Sequence, residues 1–244
     1  MGTASRIAIV TGGSRGIGRA VASRLAAAGQ DVAVVYASDA KEADVAVGEI
    51  EAAGARGIAL RADVADEVEV AAAFDTVEQR LGPVDVVVNA AGVMALRPVR
   101  DLDLAELDRQ LRVNVRGTFV MAREAARRIR PGGAIVAFST SVTRLHLPAY
   151  GAYAASKGAV EALVPILAKE LGGRDITVNA VAPGPTATEL FFDGKSQQDI
   201  DRIAGLSPMN RLGTPQDIAE VVAFLAGPGR WVNGQTVFAN GAAA

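Results

Sequence analysis

IAIVTGGSRGIG, residues 7–18, sets the architecture. An apolar run, Ile7–Val10, ends in glycines, and an amphipathic stretch begins at once. Glycine permits φ > 0 and lets a ligand come close to the backbone. A helix opening at Gly16 presents unpaired N–H groups and the positive end of its dipole. A pyrophosphate suits that place. The glycines stand at 12, 13, 16 and 18, so the pattern is Gly12-x-x-x-Gly16-x-Gly18 rather than G-x-G-x-x-G. A tight strand–helix turn would also need glycines. Their position after the first strand favours nucleotide binding.

The alternation continues outward. Ile7–Val10, Val32–Tyr36, Gly57–Arg61, Val84–Val88, Ala134–Ser139 and Ile176–Ala180 read as strands, with Val237–Ala239 as a short addition. They are rich in Val, Ile and Ala, the pattern of strands buried on both faces of a parallel sheet. Gly16–Ala28, Lys41–Ala53, Glu67–Arg80, Asp103–Arg130 and Tyr150–Leu171 read as helices, each stopped by glycine or proline. Pro165 predicts a kink or a break in the last of them. Repeated strand–helix units predict right-handed crossovers. The expected fold class is α/β: a single Rossmann-type domain over residues 1–244, doubly wound, mainly parallel, with helices on both faces. Residues 183–214 break the rhythm with prolines, glycines and no clear strand. So long a connection is usually functional or mobile, and a substrate lid is expected at about 185–212.

Composition narrows the chemistry. Half of the 244 residues are hydrophobic and the net charge is −2. No basic surplus exists to hold nucleic acid or an anionic membrane, so neither partner is expected. The absence of cysteine excludes disulfides, thiolate nucleophiles and iron–sulfur clusters. His146 is the sole histidine, so a multi-histidine metal site is impossible and no metal is expected. No apolar stretch reaches the roughly 18 residues of a membrane span. The opening MGTASRIAIVTGG leaves no room for a signal-peptide core, and the expected address is the cytoplasm.

YGAYAASKG, residues 150–158, carries the candidate chemistry. On a helix Tyr153 and Lys157, at i and i+4, share a face. A free tyrosine titrates near 10 and is a poor proton shuttle at neutral pH. A neighbouring ammonium favours the phenolate and lowers that value. Tyr153 could then protonate a carbonyl oxygen, or take the proton in reverse. Tyr150 is seven residues from Lys157, about two turns away, and the worse partner. It is expected at the substrate mouth or the start of the helix. Taken alone, a Tyr/Lys pair at this spacing is more often helix-surface decoration.

TGGSRGIG, NAAG at 89–92, Asn114, Y-A-A-S-K at 153–157 and Pro183-Gly184 together resemble the short-chain dehydrogenase/reductase family in order and spacing, from Arg6 to Gly241. The AYGAYAASK and VNAVAPGPTATE stretches are most similar to its branch of 3-oxoacyl-carrier-protein reductases and trihydroxynaphthalene reductases. The resemblance implies NADPH-dependent reduction of a ketone or aldehyde. It implies cofactor contacts from Gly12, Ser14, Arg15, Gly16, Ile17 and Gly18, and from Tyr36, Ala37 and Ser38. Asp63 and Val64 would meet the adenine, and Asn89, Ala90, Ala91 and Gly92 the ribose. Pro183, Gly184, Thr186 and Thr188 would hold the nicotinamide. Tyr153 is implied as the proton donor, and Lys157 as holding the ribose hydroxyls. Asn114 would act by a backbone carbonyl that holds a water passing protons to Lys157. The family's carbonyl-holding serine falls within AFSTSVT: Ser141 leads, Thr140 is the alternative at the usual spacing of 13 from the tyrosine, and Ser139 suits a longer spacing. Leu190, Phe191 and Phe192 would cover an apolar substrate or pack as a loop. The resemblance also implies a homotetramer, with WVNGQTVFANG between subunits.

Two features bear on the cofactor. The second strand ends in Tyr36, then Ala37 and Ser38, with no acid to bind a 2′-hydroxyl, while Arg15 can pair with the 2′-phosphate of NADP. Asp39 lies about 20 residues beyond the glycine turn, where an acid selecting NAD would stand. It also reads as the N-cap of the following helix. An NAD-dependent alcohol dehydrogenase and a non-catalytic nucleotide-binding regulator therefore remain as alternatives. The substrate stays open, from small ketones to an acyl-carrier-protein thioester. The latter would want basic residues at the mouth, for which Arg97, Arg100, Arg127, Arg128 and Arg130 are candidates. His146 could touch substrate or serve structure.

Overall fold

A computed structural model describes residues 5–244. Residues 1–4, part of the stretch read as lacking a signal peptide, lie outside it. Seven parallel strands form one sheet in the order β3-β2-β1-β4-β5-β6-β7. They are β1 Ile7–Thr11, β2 Asp31–Tyr36, β3 Gly57–Arg61, β4 Val86–Asn89, β5 Ala134–Phe138, β6 Thr177–Pro183 and β7 Thr236–Ala239. The strand order reverses direction between β1 and β4, whose residues Ala8–Thr11 and Val86–Asn89 are in register. A crevice beyond the carboxyl ends of strands at such a switch point is where ligands bind in open α/β sheets.

Helices cover both faces. On one lie α1 (Gly16–Ala27), α2 (Ala40–Ala52) and α10 (Pro215–Ala226), packed on a core that includes Val10, Leu25, Val34, Ile50 and Ile218. On the other lie α3 (Glu67–Arg80), α5 (Gly117–Arg128) and α7 (Gly151–Glu170), around Ile9, Phe74, Val87, Ile135 and Val164. Burying each such large side chain contributes about 1.5–3 kcal/mol. No helix among the described residues is long and apolar enough to cross a membrane.

Two expectations need correction, and two features were not anticipated. The stretch 103–130 is α4 (Leu104–Leu111), a π turn over Arg112–Arg116, then α5. The wider turn holds Asn114 fully buried, and such turns recur at functional sites. Second, α7 runs unbroken through Pro165, so the proline costs one hydrogen bond to the Glu161 carbonyl without ending the helix. Third, the excursion after β6 contains the short helices α8 (Glu189–Phe192) and α9 (Gln197–Ala204), capped by Thr188 and Ser196. Last, α10 was not anticipated. Thr214 and Asp217 form a reciprocal capping box, with Pro215 in the first turn.

Candidate active site

The glycine turn joins β1 to α1. Gly12 adopts φ +62° and lies against Ala91, so that a Cβ there would stand 3.0 Å from the Ala91 backbone nitrogen. The two segments that flank the crevice, 12–18 and 89–92, are thus in contact. Arg15 is the N-cap of α1, and no side chain caps the helix. Its first-turn N–H groups are left for an anion, which is the feature a pyrophosphate fits. Ser14 is buried beside them, and Ile17 forms part of the wall of the neighbouring cavity. Arg15 is exposed, with its guanidinium 3.9 Å from Glu189 of α8 across the crevice.

At the end of β2 the structure resolves Asp39. Its carboxylate accepts a hydrogen bond from the Glu42 N–H and caps α2. Ala37 and Ser38 are exposed, and Tyr36 is half-buried. A second cation stands there that the sequence did not suggest. Arg61 pairs in register with Tyr36, and its Nε donates to the Ala37 carbonyl at 3.2 Å. Only strand pairing reveals this, since the two residues are far apart in the chain.

Several expected contact residues face inward. Asn89 accepts from the Thr11 hydroxyl at 2.7 Å and donates to the Thr118 hydroxyl at 3.0 Å. Thr118 in turn donates to the Asn114 carbonyl at 2.7 Å, and the Ala91 N–H donates to Thr11. The Asn89 side chain therefore shapes the 89–92 wall from behind and leaves contact to Ala90, Ala91 and Gly92. Asp63 is paired with Arg112 at 2.5 Å and accepts from the Ala65 N–H. Val64 packs under Gly117. Pro183 ends β6, and Gly184 follows it against Asn240. Thr186 bonds the Gly184 carbonyl, and Thr188 caps α8 by accepting from the Phe191 N–H.

Tyr153 and Lys157 project from α7 toward the end of β5. Lys157 is 4% exposed and its Nζ donates to the Phe138 carbonyl at 2.9 Å. Its ammonium lies 5.9 Å from the centre of the Tyr153 ring. The expectation that this charge lowers the tyrosine pKa does not hold for the chain by itself. Burial dominates and pushes Tyr153 up to about 12, against a hydrogen bond with Thr140 that lowers it. Burial likewise pushes Lys157 down to about 8. Gly92 is wedged between Asn114 and Lys157: a Cβ there would stand 3.3 Å from both Asn114 Oδ1 and Lys157 Nζ. Asn114 also binds both backbone groups of Val93 and the Ser156 hydroxyl through its side chain.

The three hydroxyls after β5 are sorted by direction. Ser141, the leading candidate, is 1% exposed and turns its hydroxyl to the Ala182 carbonyl at 3.3 Å. Ser139 donates to Glu161. Thr140 lines the cavity together with Tyr153, and its hydroxyl acts to lower the tyrosine's pKa against the effect of burial. Ser139 and Ser141 are thus bonded to protein groups while all three hydroxyl residues line the cavity, which leaves Thr140 as the candidate to hold a carbonyl.

A cavity of about 180 Å³ opens over these groups, lined by Met94, Val142, Leu145, Leu147, Tyr150 and Phe191 beside Thr140 and Tyr153. Among the described residues, Lys157 is the one charged side chain in its wall. Leu190, Ile203 and Leu206 close it from the segment after β6, whereas Phe192 is exposed. Tyr150 stands at the head of α7 and in the cavity wall, as anticipated. His146 is exposed in a left-handed turn after the short helix α6 (Val142–Leu145) and is no part of that wall. Arg127, Arg128 and Arg130 are not at the mouth. Arg130 grips Asp85 ahead of β4, and Arg127 and Arg128 bind Glu124 at the same end of the sheet. Arg97, whose N–H donates to the Ala149 carbonyl next to Tyr150, is tied to the cavity side, and the exposed Arg100 pairs with Asp101 in the turn whose Val99 lies by Gly151 at the head of α7.

Lysine burial gives a pH test. The folded value near 8 lies below the 10.5 of an unperturbed lysine. Between these limits the unfolded chain binds a proton that the folded chain does not, so stability rises with pH. In cofactor-free protein, urea unfolding at pH 10 and at pH 8 is expected to show a gain about 2 kcal/mol larger than in Lys157→Met.

Residues 12–242 match the family described as enoyl-(acyl carrier protein) reductase. An NADPH-dependent aldehyde reductase-like protein, chloroplastic, of Arabidopsis thaliana is 44% identical, over 98% of this chain and 94% of the relative. A protein of Zymoseptoria tritici named "Probable tetrahydroxynaphthalene reductase" is 38% identical, over 98% of this chain and 94% of the relative. A short chain dehydrogenase of Burkholderia cenocepacia, solved in complex with NADP, superposes with TM-score 0.92 at 42% identity. The match covers 99% of this chain and 98% of that one.

Proposed function

Because this chain belongs to the short-chain dehydrogenase/reductase family and is an NADP-dependent oxidoreductase, we propose that it reduces small, uncharged and largely apolar aldehydes or ketones to alcohols. The observation that carries this is Thr140 and Tyr153 side by side in an apolar cavity. NADPH supplies the hydride when bound. Thr140 holds the carbonyl oxygen, and Tyr153 gives it a proton as the alcohol forms. Lys157 holds the ribose hydroxyls, and Asn114, buried beside it, links it to solvent through the backbone. The α1 N-terminus and Ser14 take the pyrophosphate. Arg15, with Arg61 at the strand end, faces the 2′-phosphate.

The cavity volume lies below the roughly 300–1,000 Å³ typical of sites for drug-sized ligands, which favours a small substrate. With no cation free in its wall, a carboxylate or phosphate near the carbonyl would be desolvated without a partner. Segment 185–212 acts as the lid, with Leu190 and Phe191 on the substrate. A 3-oxoacyl-carrier-protein substrate is the second reading, supported by the acyl carrier protein, though not the 3-oxo group, in the matched family's description and by Arg97 on the cavity side. NADPH oxidation is followed with uncharged aldehydes and ketones, with carboxylated analogues of equal length, and with 3-oxoacyl thioesters. Preference for the uncharged compounds is expected, and preference for the carboxylated ones would contradict the proposal. Preference for the thioesters would favour the second reading.

The proposed assembly is a homotetramer. Trp231 is fully exposed in the single chain, and Phe119, Ile166 and Phe224 are about half exposed, which leaves apolar surface for subunit contacts. Light scattering is expected to give four times the 25.1 kDa chain mass, with blue-shifted emission from the sole tryptophan. A monomer with solvent-exposed emission would refute it. The proposed compartment is the cytoplasm, with which the cysteine-free sequence is compatible; chloroplastic is what the Arabidopsis relative's name says of that protein.

A further inference from the structure

Helix α7 carries Tyr153, Lys157 and Glu161 at four-residue intervals, along one face. Each faces the last residue of β5 or the segment that follows it. Tyr153 lines the cavity beside Thr140, Lys157 bonds the Phe138 carbonyl, and Glu161 bonds residues on both sides of Thr140. The Ser139 hydroxyl donates to Glu161 Oε1 at 2.6 Å, and the Thr143 hydroxyl to the same oxygen at 2.8 Å. Arg144 stands 3.9 Å from Oε2, and its guanidinium also lies over the Phe238 ring of β7 at 5.4 Å. The carboxylate is 17% exposed. Hydroxyl-to-carboxylate hydrogen bonds are among the shorter and stronger ones, and two of them to one oxygen tie the residues before and after Thr140 to α7.

We propose that Glu161 is a positioning residue, whose carboxylate clamps Ser139 and Thr143 and so fixes the Thr140 hydroxyl against Tyr153. The inference rests on Thr140 and Tyr153 being the pair that holds and protonates the carbonyl. Glu161 touches neither substrate nor cofactor. Its effect is on where Thr140 points, and small misplacements of a reacting group are costly.

The test compares Glu161→Ala, Glu161→Gln, Thr140→Val and Thr143→Val with wild type. The readouts are kcat, NADPH affinity by fluorescence titration, thermal midpoint, and the pH profile of alcohol oxidation. Glu161→Ala is expected to lose about 100-fold in kcat, with NADPH affinity unchanged. Its alcohol-oxidation profile is expected to move to higher pH, as in Thr140→Val, because the bond that opposes the burial of Tyr153 is weakened in both. Glu161→Gln keeps an oxygen for both hydroxyls and is expected to restore most of the activity. Thr143→Val removes one donor and should show a smaller loss of the same kind, which serves if Glu161→Ala does not fold. Wild-type kcat in Glu161→Ala, a loss that follows NADPH affinity, or an equal loss in Glu161→Gln would overturn the inference. Unchanged turnover in Thr140→Val would instead overturn the reading on which it rests.

Discussion

Tyr153→Phe is expected to lose about 1,000-fold in kcat, within the range that one general acid contributes, and to bind NADPH as wild type does. The substitution removes one oxygen and keeps the ring over which Lys157 sits. Lys157 keeps its bond to the Phe138 carbonyl, so the ribose end of the site is unchanged. What is lost is the proton that the carbonyl oxygen must receive as it gains negative charge. Thr140 is left to donate alone, and a threonine hydroxyl is too weak an acid to replace a phenol. Tyr150→Phe is the control. Tyr150 is in the cavity wall at the head of α7, and burial raises its pKa too. Yet it is the Tyr153 ring that Lys157 approaches, with Tyr150 seven residues away along the chain, so a change in KM is expected there with kcat near wild type. Steady-state kinetics beside fluorescence titration of NADPH check both variants.

Gly18→Ala is expected to weaken NADPH binding by about 100-fold, equivalent to roughly 2–3 kcal/mol. Gly18 lies in the first turn of α1, where a Cβ would collide with the Gly12 carbonyl and stand 2.7 Å from the Gly12 carbonyl carbon. Backbone cannot yield as a side chain can. Either the glycine turn moves or α1 shifts along its axis, and both displace the N–H groups that meet the pyrophosphate. Overpacking of this kind also costs about 1–3 kcal/mol of stability, so a lower melting temperature should accompany the loss. Gly48→Ala is a matched helix control, because a Cβ there meets nothing within 4 Å. It is expected to bind NADPH normally and to melt no lower than wild type. Calorimetric titration and thermal melts of the two variants separate lost binding from lost folding.

What could be read from the sequence follows from what each signal depends on. Strands buried on both faces spell themselves as Val, Ile and Ala runs, so every strand was located to within a few residues. The glycine turn and Asp39 as a cap are local in the chain and were equally legible. The break between α4 and α5 was not, because the hydrophobic pattern continues across the π turn that holds Asn114. Helix α10 had a local signal in Thr214-Pro215 and Asp217 that went unread within a stretch dominated by prolines and glycines. The choice among Ser139, Thr140 and Ser141 depends on side-chain direction at a strand end, which spacing cannot supply when all three are hydroxyls. Arg61 and Glu161 needed the topology: one acts across β2 and β3, the other across β5 and α7.

The most direct test is the rate of NADPH oxidation with one small, uncharged, apolar aldehyde, measured with wild-type enzyme and with Tyr153→Phe under the same conditions and repeated with NADH. Turnover by the wild type with NADPH, little with NADH, and near-background oxidation by the variant is the predicted result. Equal rates in wild type and Tyr153→Phe would contradict the proton-donor role and the carbonyl-reduction mechanism built on it.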